Sequence, residues 1–234
     1  MLSATSRNQL LESLPPEDRD AVLAATTPFE FDLGHVFTEA GETVSSVHFV
    51  VSGIVSAVAV TPDGRTVETF MVGREGMTTP GAISVPVRTY SRLIGQSPGE
   101  TRRMDVVRFR TMCEDRPDLR RVVALYAAGL QGELEQSAAC NALHRADQRF
   151  AKWLLRCHDR LDGDTLHLTQ EYLASLLGSQ RTTVNEAAQG LQKCGAITYS
   201  RGRVTILDRG ALERAACECY RNGRRSSLDI PRPE

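Results

Sequence analysis

The residues with the clearest chemistry lie between positions 169 and 207. Gln180, Arg181, Thr182, Asn185, Glu186 and Gln189 share one face of a predicted helix running to about Lys193, with Ser179 as its cap. Arg, Asn and Gln carry donor–acceptor forks that match base edges in the major groove of DNA. Val184 and Ala187 form the opposite, burying face. Before it, Thr169 caps a shorter helix over 170–177, in which Leu173 and Leu177 bury and Ala174 is small where the helices touch. Gly178 takes the sharp turn between them, which makes the pair a helix-turn-helix. Ala196 to Ser200 and Val204 to Leu207 then read as strands joined through Arg201-Gly202-Arg203, a basic hairpin tip placed to meet phosphates. The expected DNA-contacting set is therefore Thr169, Gln170, Ser179, Gln180, Arg181, Thr182, Thr183, Asn185, Glu186, Gln189, Arg201 and Arg203, with double-stranded DNA as partner.

Upstream elements must position this unit. Residues 145–161 form an amphipathic helix with Phe150, Trp153, Leu154, Leu155 and Leu161 toward a core. A long helix starts at Pro117, and Val123, Ala127, Leu130, Leu134, Ser137 and Asn141, then His144, recur at alternating spacings of four and three. That 3.5-residue period predicts a dimerisation seam with a polar lower half; the alternative is a long helix lying on its own core. Gly129 and Gly132 lie within it, each costing about 1 kcal/mol against Ala. Residues 7–27 read as two helices meeting at Pro15-Pro16. From Phe29 to about Val107 the pattern is of short strands, with a break at Ser52-Gly53, a Thr61-Pro62-Asp63-Gly64-Arg65 turn and a Gly-rich loop at 73–81. A short helix begins at Phe109. Strands with no helices between them argue an antiparallel roll or barrel.

The expected organisation is α+β: a β-roll over 1–116, a dimerisation helix over 117–144, a winged helix-turn-helix over 145–221, and a disordered tail over 222–234. The 234 residues carry a net charge of −1 that is unevenly spread. Residues 1–144 hold 13 basic against 18 acidic side chains, and residues 145–234 hold 15 against 11. A basic back half suits a polyanion. No apolar run approaches the ~20 residues that span a bilayer, and no basic-then-apolar leader opens the chain, so a cytoplasmic protein without a membrane partner is expected. Six cysteines, at 113, 140, 157, 194, 217 and 219, read as reduced and packed. Cys217-x-Cys219 is too close-set for a zinc site without partners, so no metal is expected.

Thr169 to Val184, read T-Q-E-Y-L-A-S-L-L-G-S-Q-R-T-T-V, is similar to the helix-turn-helix signature of the Crp/Fnr superfamily of bacterial transcription regulators, with Gln180 where Ser is usual. The order of roll, long helix and winged helix extends the resemblance over nearly the whole chain. It implies a homodimer on a two-fold symmetric site, RNA polymerase as a further partner, base reading by Arg181 and phosphate contact by Thr183. Thr182 and Glu186 stand where the cyclic-AMP-binding type has Glu and Arg, so a different operator is implied. In the sensor, Gly73-Arg74-Glu75-Gly76-Met77 stands where the resemblance places the phosphate cassette loop with its Gly-Glu, and Thr89-Tyr90 stands in place of its Arg-Ser. Leu134 and Glu135 replace two adenine-reading hydroxyls. The candidate effector residues are Arg74, Glu75, Arg88 and Arg92, and these departures argue against cyclic AMP. No cysteine cluster for an iron–sulfur centre precedes Cys113, and His35, His48 and Cys113 are the available axial ligands for a haem. No cofactor is expected. The alternatives are a constitutive DNA-binding regulator whose roll is a scaffold, and a cupin-type roll enzyme. His35 and His48, thirteen apart with no H-x-H, weaken the second. No catalytic motif is present, so no enzymatic activity is expected.

Overall fold

The computed structural model describes residues 7–168, 173, 181–200 and 202–221, with the Arg181 side chain outside that set. Asn8 caps the short helix α1 (Gln9–Glu12) by accepting from the Leu11 amide, and its side-chain amide donates to the carbonyls of Val50 and Gly76. This buried group thereby pins α1 to the body of the fold. Pro16 opens α2 (Pro16–Ala25), where its missing N–H is no loss.

Five strands follow: β1 (Thr27–Phe31), β2 (Val36–Thr38), β3 (Ser46–Val60), β4 (Thr66–Val72) and β5 (Arg92–Asp105). They pair antiparallel in the order β1-β5-β3-β4, with β2 also on β5. The expected break at Ser52-Gly53 and the expected short strands up to Val107 are both corrected. β3 and β5 run through as long strands, and their glycines are absorbed as shifts in register between Val50 and Val55. Gly53 has φ 77°, and a Cβ on it would lie 2.6 Å from the Pro98 carbonyl oxygen. Gly99 faces Ser52 as closely, so only glycine lets the two backbones cross at this bend.

Asp105 accepts from the amides of Val107 and Arg108, which starts α3 (Val106–Asp115) before the expected Phe109. The long helix α4 (Pro117–Leu143) buries Leu119, Val122, Val123 and Tyr126 with Leu10, Leu11, Val47, Phe49 and Phe109. The expected seam is corrected at its first position, because Val123 is wholly enclosed by its own chain. Ala127, Leu130 and Ser137 are half-buried, whereas Leu134 and Asn141 are exposed.

The remaining elements are α5 (Ala146–His158), β6 (Thr165–His167), α6 (Arg181–Lys193), β7 (Ile197–Ser200), β8 (Arg203–Ile206) and α7 (Arg209–Ala215). β6 joins the expected hairpin as a third antiparallel strand, in the order β6-β8-β7. Phe150, Leu154 and Leu155 of α5 pack with Leu173, Val184, Leu191, Val204 and Leu212. The same cluster takes in Ile54, Val58 and Met71 of the roll, so the apolar interior runs without interruption from the roll into the C-terminal unit. Each fully buried Leu or Phe contributes about 1.5–3 kcal/mol.

Candidate nucleic-acid interface and the junction behind it

Val184, Ala187, Ala188 and Leu191 recur at i, i+3, i+4 and i+7 and are buried, which turns the other side of α6 outward. There Thr182, Glu186 and Gln189 are exposed, and Thr183 and Asn185 half-buried. Leu173 is buried in the same core, as its spacing implied. Thr169, Gln170, Ser179, Gln180 and Arg201 lie outside the described residues. Arg203 is exposed at the start of β8, in register with Ser200 on one side and His167 on the other. The Tyr199 amide donates to the Gln192 side chain at 2.8 Å, tying the hairpin to the end of α6. The outer face of α6 and the hairpin are thus held on one core, the former with groove-reading side chains and the latter with a basic tip.

The opposite side of this unit is also polar, but closed. Trp153, Arg156, Cys157 and Arg160 lie at i, i+3, i+4 and i+7 along α5 and the turn after it. Arg160 Nε donates to Glu75 Oε1 at 2.7 Å, and its Nη1 donates to the Arg156 carbonyl. Arg156 Nη2 donates in turn to Glu133 of α4 at 2.5 Å, and Arg160 Nη2 lies 3.9 Å from the same carboxylate. Arg160 is 8% exposed. Burial by itself would lower its pKa, but the charges of Glu75 and Glu133 outweigh burial and raise it. Tyr126 lies over Gly76 with no room for a Cβ. The void among Met71, Glu75, Tyr126, Leu130, Glu133 and Arg160 measures only about 10 Å³, room for no more than one water.

A second contact of α5 with the roll is a chain of hydrogen bonds. Trp153 Nε1 donates to Glu68 Oε1 at 2.8 Å, and the other Glu68 oxygen lies 2.6 Å from the Ser56 hydroxyl. That hydroxyl is also 2.5 Å from Gln96 Oε1, and Gln96 Nε2 donates to Cys157 Sγ. One hydroxyl has a single proton for two acceptors. The chain balances when Glu68 is protonated, giving its proton to Ser56, which gives its own to Gln96. Burial accordingly raises the Glu68 pKa, against Ser56, Trp153, Arg156 and Arg160, which lower it. Beside this contact, Leu33, Ile54, Pro98, Leu161, Leu166 and Leu168 line a mainly apolar cleft of about 170 Å³ between the roll and the C-terminal unit.

The four candidate effector residues are not brought together. Arg74 pairs with Asp162 at 2.7 Å and Glu75 with Arg160, both across the junction. Arg92 pairs with Glu39, and the backbone of Arg88 bridges to Thr43. The possible haem ligands are otherwise engaged or apart. His48 has Thr101 on Nδ1 and Ser46 on Nε2, and burial lowers its pKa to about 3, with Arg103 and His35 adding to the effect. Cys113 lies in the apolar core under α3, where burial pushes its thiol up to about 12.

Cys217 and Cys219 lie beside two further side chains of metal-binding type that their spacing in the sequence does not reveal. Ligand atoms of Cys140, His144, Cys217 and Cys219 all lie within 4.8 Å of one another. The missed signal was Cys140-x-x-x-His144, two metal-binding side chains one helical turn apart. The missed signal for the junction was the Arg156–Arg160 spacing on the face that also carries Trp153.

Comparison with known proteins agrees with this geometry. Residues 148–215 match the family model of a Crp-like helix-turn-helix domain. A CRP-like cAMP-activated global transcriptional regulator of Mycobacterium tuberculosis is 26% identical over 218 residues, covering 90% of this chain and 97% of that protein. Among solved structures, FixK2 of Bradyrhizobium japonicum superposes with a TM-score of 0.70 at 18% identity, over 82% of this chain and 98% of that one. The c-di-GMP responsive global regulator CLP of Xanthomonas campestris gives 0.66 at 16% identity, over 83% and 100%. These two share the fold: antiparallel roll, long helix and C-terminal helix-turn-helix.

Proposed function

We propose that the chain is a transcription regulator of the Crp/Fnr type, as the Crp-like domain match and the Mycobacterium relative support, that it reads a palindromic DNA site as a homodimer, and that it is regulated at the α5–roll junction. The observation that carries the DNA reading is the outward polar face of α6 beside an exposed basic hairpin, within the residues that match the Crp-like domain. α6 lies in the major groove with Arg181 and Asn185 toward base edges, and Arg201 and Arg203 meet phosphates. The two copies pair along α4 from Ala127 downward, which sets half-sites one helical turn apart, roughly 34 Å. RNA polymerase is the further partner, the cytoplasm the place of action, and no catalytic activity belongs to this reading. Among the described residues no helix is long and apolar enough to cross a membrane.

The Mycobacterium relative is described as cAMP-activated, but this chain is not expected to bind that nucleotide. Its cassette carboxylate, Glu75, is already paired with Arg160, and only about 10 Å³ remains beside that pair. An effector here works by competing with Arg160 for Glu75 or by entering the apolar cleft beside Leu161, and so releases α5 from the roll. The filled junction equally favours a second reading, a constitutive regulator whose roll is a scaffold.

Selection of bound DNA from a random pool by the ligand-free protein tests both. An enriched palindrome with half-sites one turn apart supports the dimeric reader and favours the constitutive form. Salt-sensitive binding without an enriched sequence means that the docked α5 holds the protein inactive until an effector arrives. No binding even at low salt removes the DNA reading.

A further inference from the structure

The last turn of α4 and the segment after α7 bring four soft or borderline ligand groups to one point. We propose that Cys140, His144, Cys217 and Cys219 form a structural zinc site that fixes the elbow between the long helix and the DNA-binding unit. Cys140 lies in the last turn of α4, and His144, the residue that ends the helix, donates its amide to the Cys140 carbonyl at 3.1 Å. Cys217 and Cys219 follow α7, in a stretch held by the Tyr220 hydroxyl, which bonds the Asp159 carboxylate and accepts from Arg209. Cys140 Sγ lies 3.6 Å from Cys217 Sγ, and Cys219 Sγ lies 3.6 Å from His144 Nδ1.

Those two distances match edges of a tetrahedron around one ion, and the remaining four lie within 4.8 Å. Zinc–sulfur bonds of about 2.3 Å and zinc–nitrogen bonds of about 2.0 Å at tetrahedral angles require S···S edges of about 3.8 Å and S···N edges of about 3.5 Å. With all four atoms inside 4.8 Å the space suits a single ion and is too tight for an iron–sulfur cluster, whose irons stand apart. Three thiolates and an imidazole are a zinc donor set, and four protein ligands leave no open position for catalysis.

A separate observation orients the histidine for this task. His144 Nε2 gives its proton to Glu218 Oε1 at 3.0 Å, which leaves the Nδ1 lone pair facing the three sulfurs. A carboxylate behind a ligating imidazole is the usual outer support of such a site. The location gives the metal its consequence. His144 is the residue at which α4 ends, with φ −108° and ψ 150°, and α5 begins at Ala146. An ion here ties the C-terminal segment of the DNA-binding unit to the base of the long helix, and so sets the direction in which α6 is presented.

The test uses the full, untagged chain purified in a reducing buffer. About one zinc per chain is expected by elemental analysis. Replacement with cobalt should give thiolate charge-transfer absorption and the intense visible bands of a tetrahedral ion. Cys219→Ser should lose stoichiometric zinc, and Glu218→Gln, which keeps every ligand, should bind zinc about 10–100-fold more weakly at an unchanged fold. The inference is overturned by a folded protein that neither retains zinc nor takes it up from an equimolar addition. It is equally overturned if both variants hold zinc as tightly as the parent chain, which would mark adventitious surface binding. Formation of a Cys140–Cys217 disulfide under mild oxidation in the presence of equimolar zinc would replace it with a redox pair.

Discussion

α5 and α6 belong to one DNA-binding unit and both carry polar side chains, yet the two helices spend them in opposite ways. On α6, Thr182, Glu186 and Gln189 face outward, and the buried side is entirely Val, Ala and Leu. On α5, Trp153, Arg156 and the adjoining Arg160 are turned into the chain, where Glu68, Glu133 and Glu75 meet them. A polar face left to solvent keeps its hydrogen-bonding capacity for a partner. A face whose charges are paired under cover has used that capacity to hold two parts of one chain together, and it holds them conditionally. Removal of one partner strands the other. The contrast separates a surface left open to a partner from a contact closed within the chain.

The sharpest way to break the contrast is Arg160→Ala. It leaves Glu75 covered and without its counterion, while Glu133 keeps Arg156, and the expected loss is about 3–5 kcal/mol in urea denaturation. Combining it with Glu75→Gln should recover part of that loss, since the two changes act on one pair. A cost below about 1 kcal/mol would mean that the pair behaves as a surface ion pair and the junction is no latch.

On the reading surface, Arg181→Ala should cost about 1–3 kcal/mol on the selected DNA site and relax specificity at one base pair. Equal losses on all sequences would reassign Arg181 to phosphate contact. Arg203→Ala should weaken binding uniformly and make the dependence of log affinity on log salt shallower by about one unit. Unchanged affinity would take the hairpin out of the interface.

How far each region could be read from the sequence follows from the range of its contacts. The buried face of α6 announces itself within eight residues, from Val184 to Leu191, and the hairpin around Gly202 is equally local. Arg160 meets Glu75 across 85 positions, and Cys140 meets Cys217 across 77, so no periodicity ties either pair together. Ser52-Gly53 reads as a break because glycine punctuates most chains, whereas here Gly53 and Gly99 let β3 and β5 cross closely. The heptad spacing through Val123 was real, but it could not say which of two partners, the roll or a second copy, would cover that position.

The smallest expected effect tests the protonation of the junction. The Glu68 pKa is raised by burial, with the nearby Arg156 and Arg160 charges opposing. Between the ordinary glutamate value of 4.5 and the raised one, the folded chain therefore binds more protons than the unfolded chain. The stabilising contribution of Glu68 is fully present below the ordinary value and is lost as pH rises through the raised one. Glu68→Gln supplies a permanent N–H donor toward Ser56 and should flatten this part of the stability–pH curve, measured by urea denaturation from below pH 4.5 to neutrality. Parallel curves for parent and variant would show that Glu68 is ionised throughout. The Ser56 proton would then point at Glu68, and Gln96 would turn its amide N–H toward Ser56, while the Trp153 bond to Glu68 becomes a charge-assisted one.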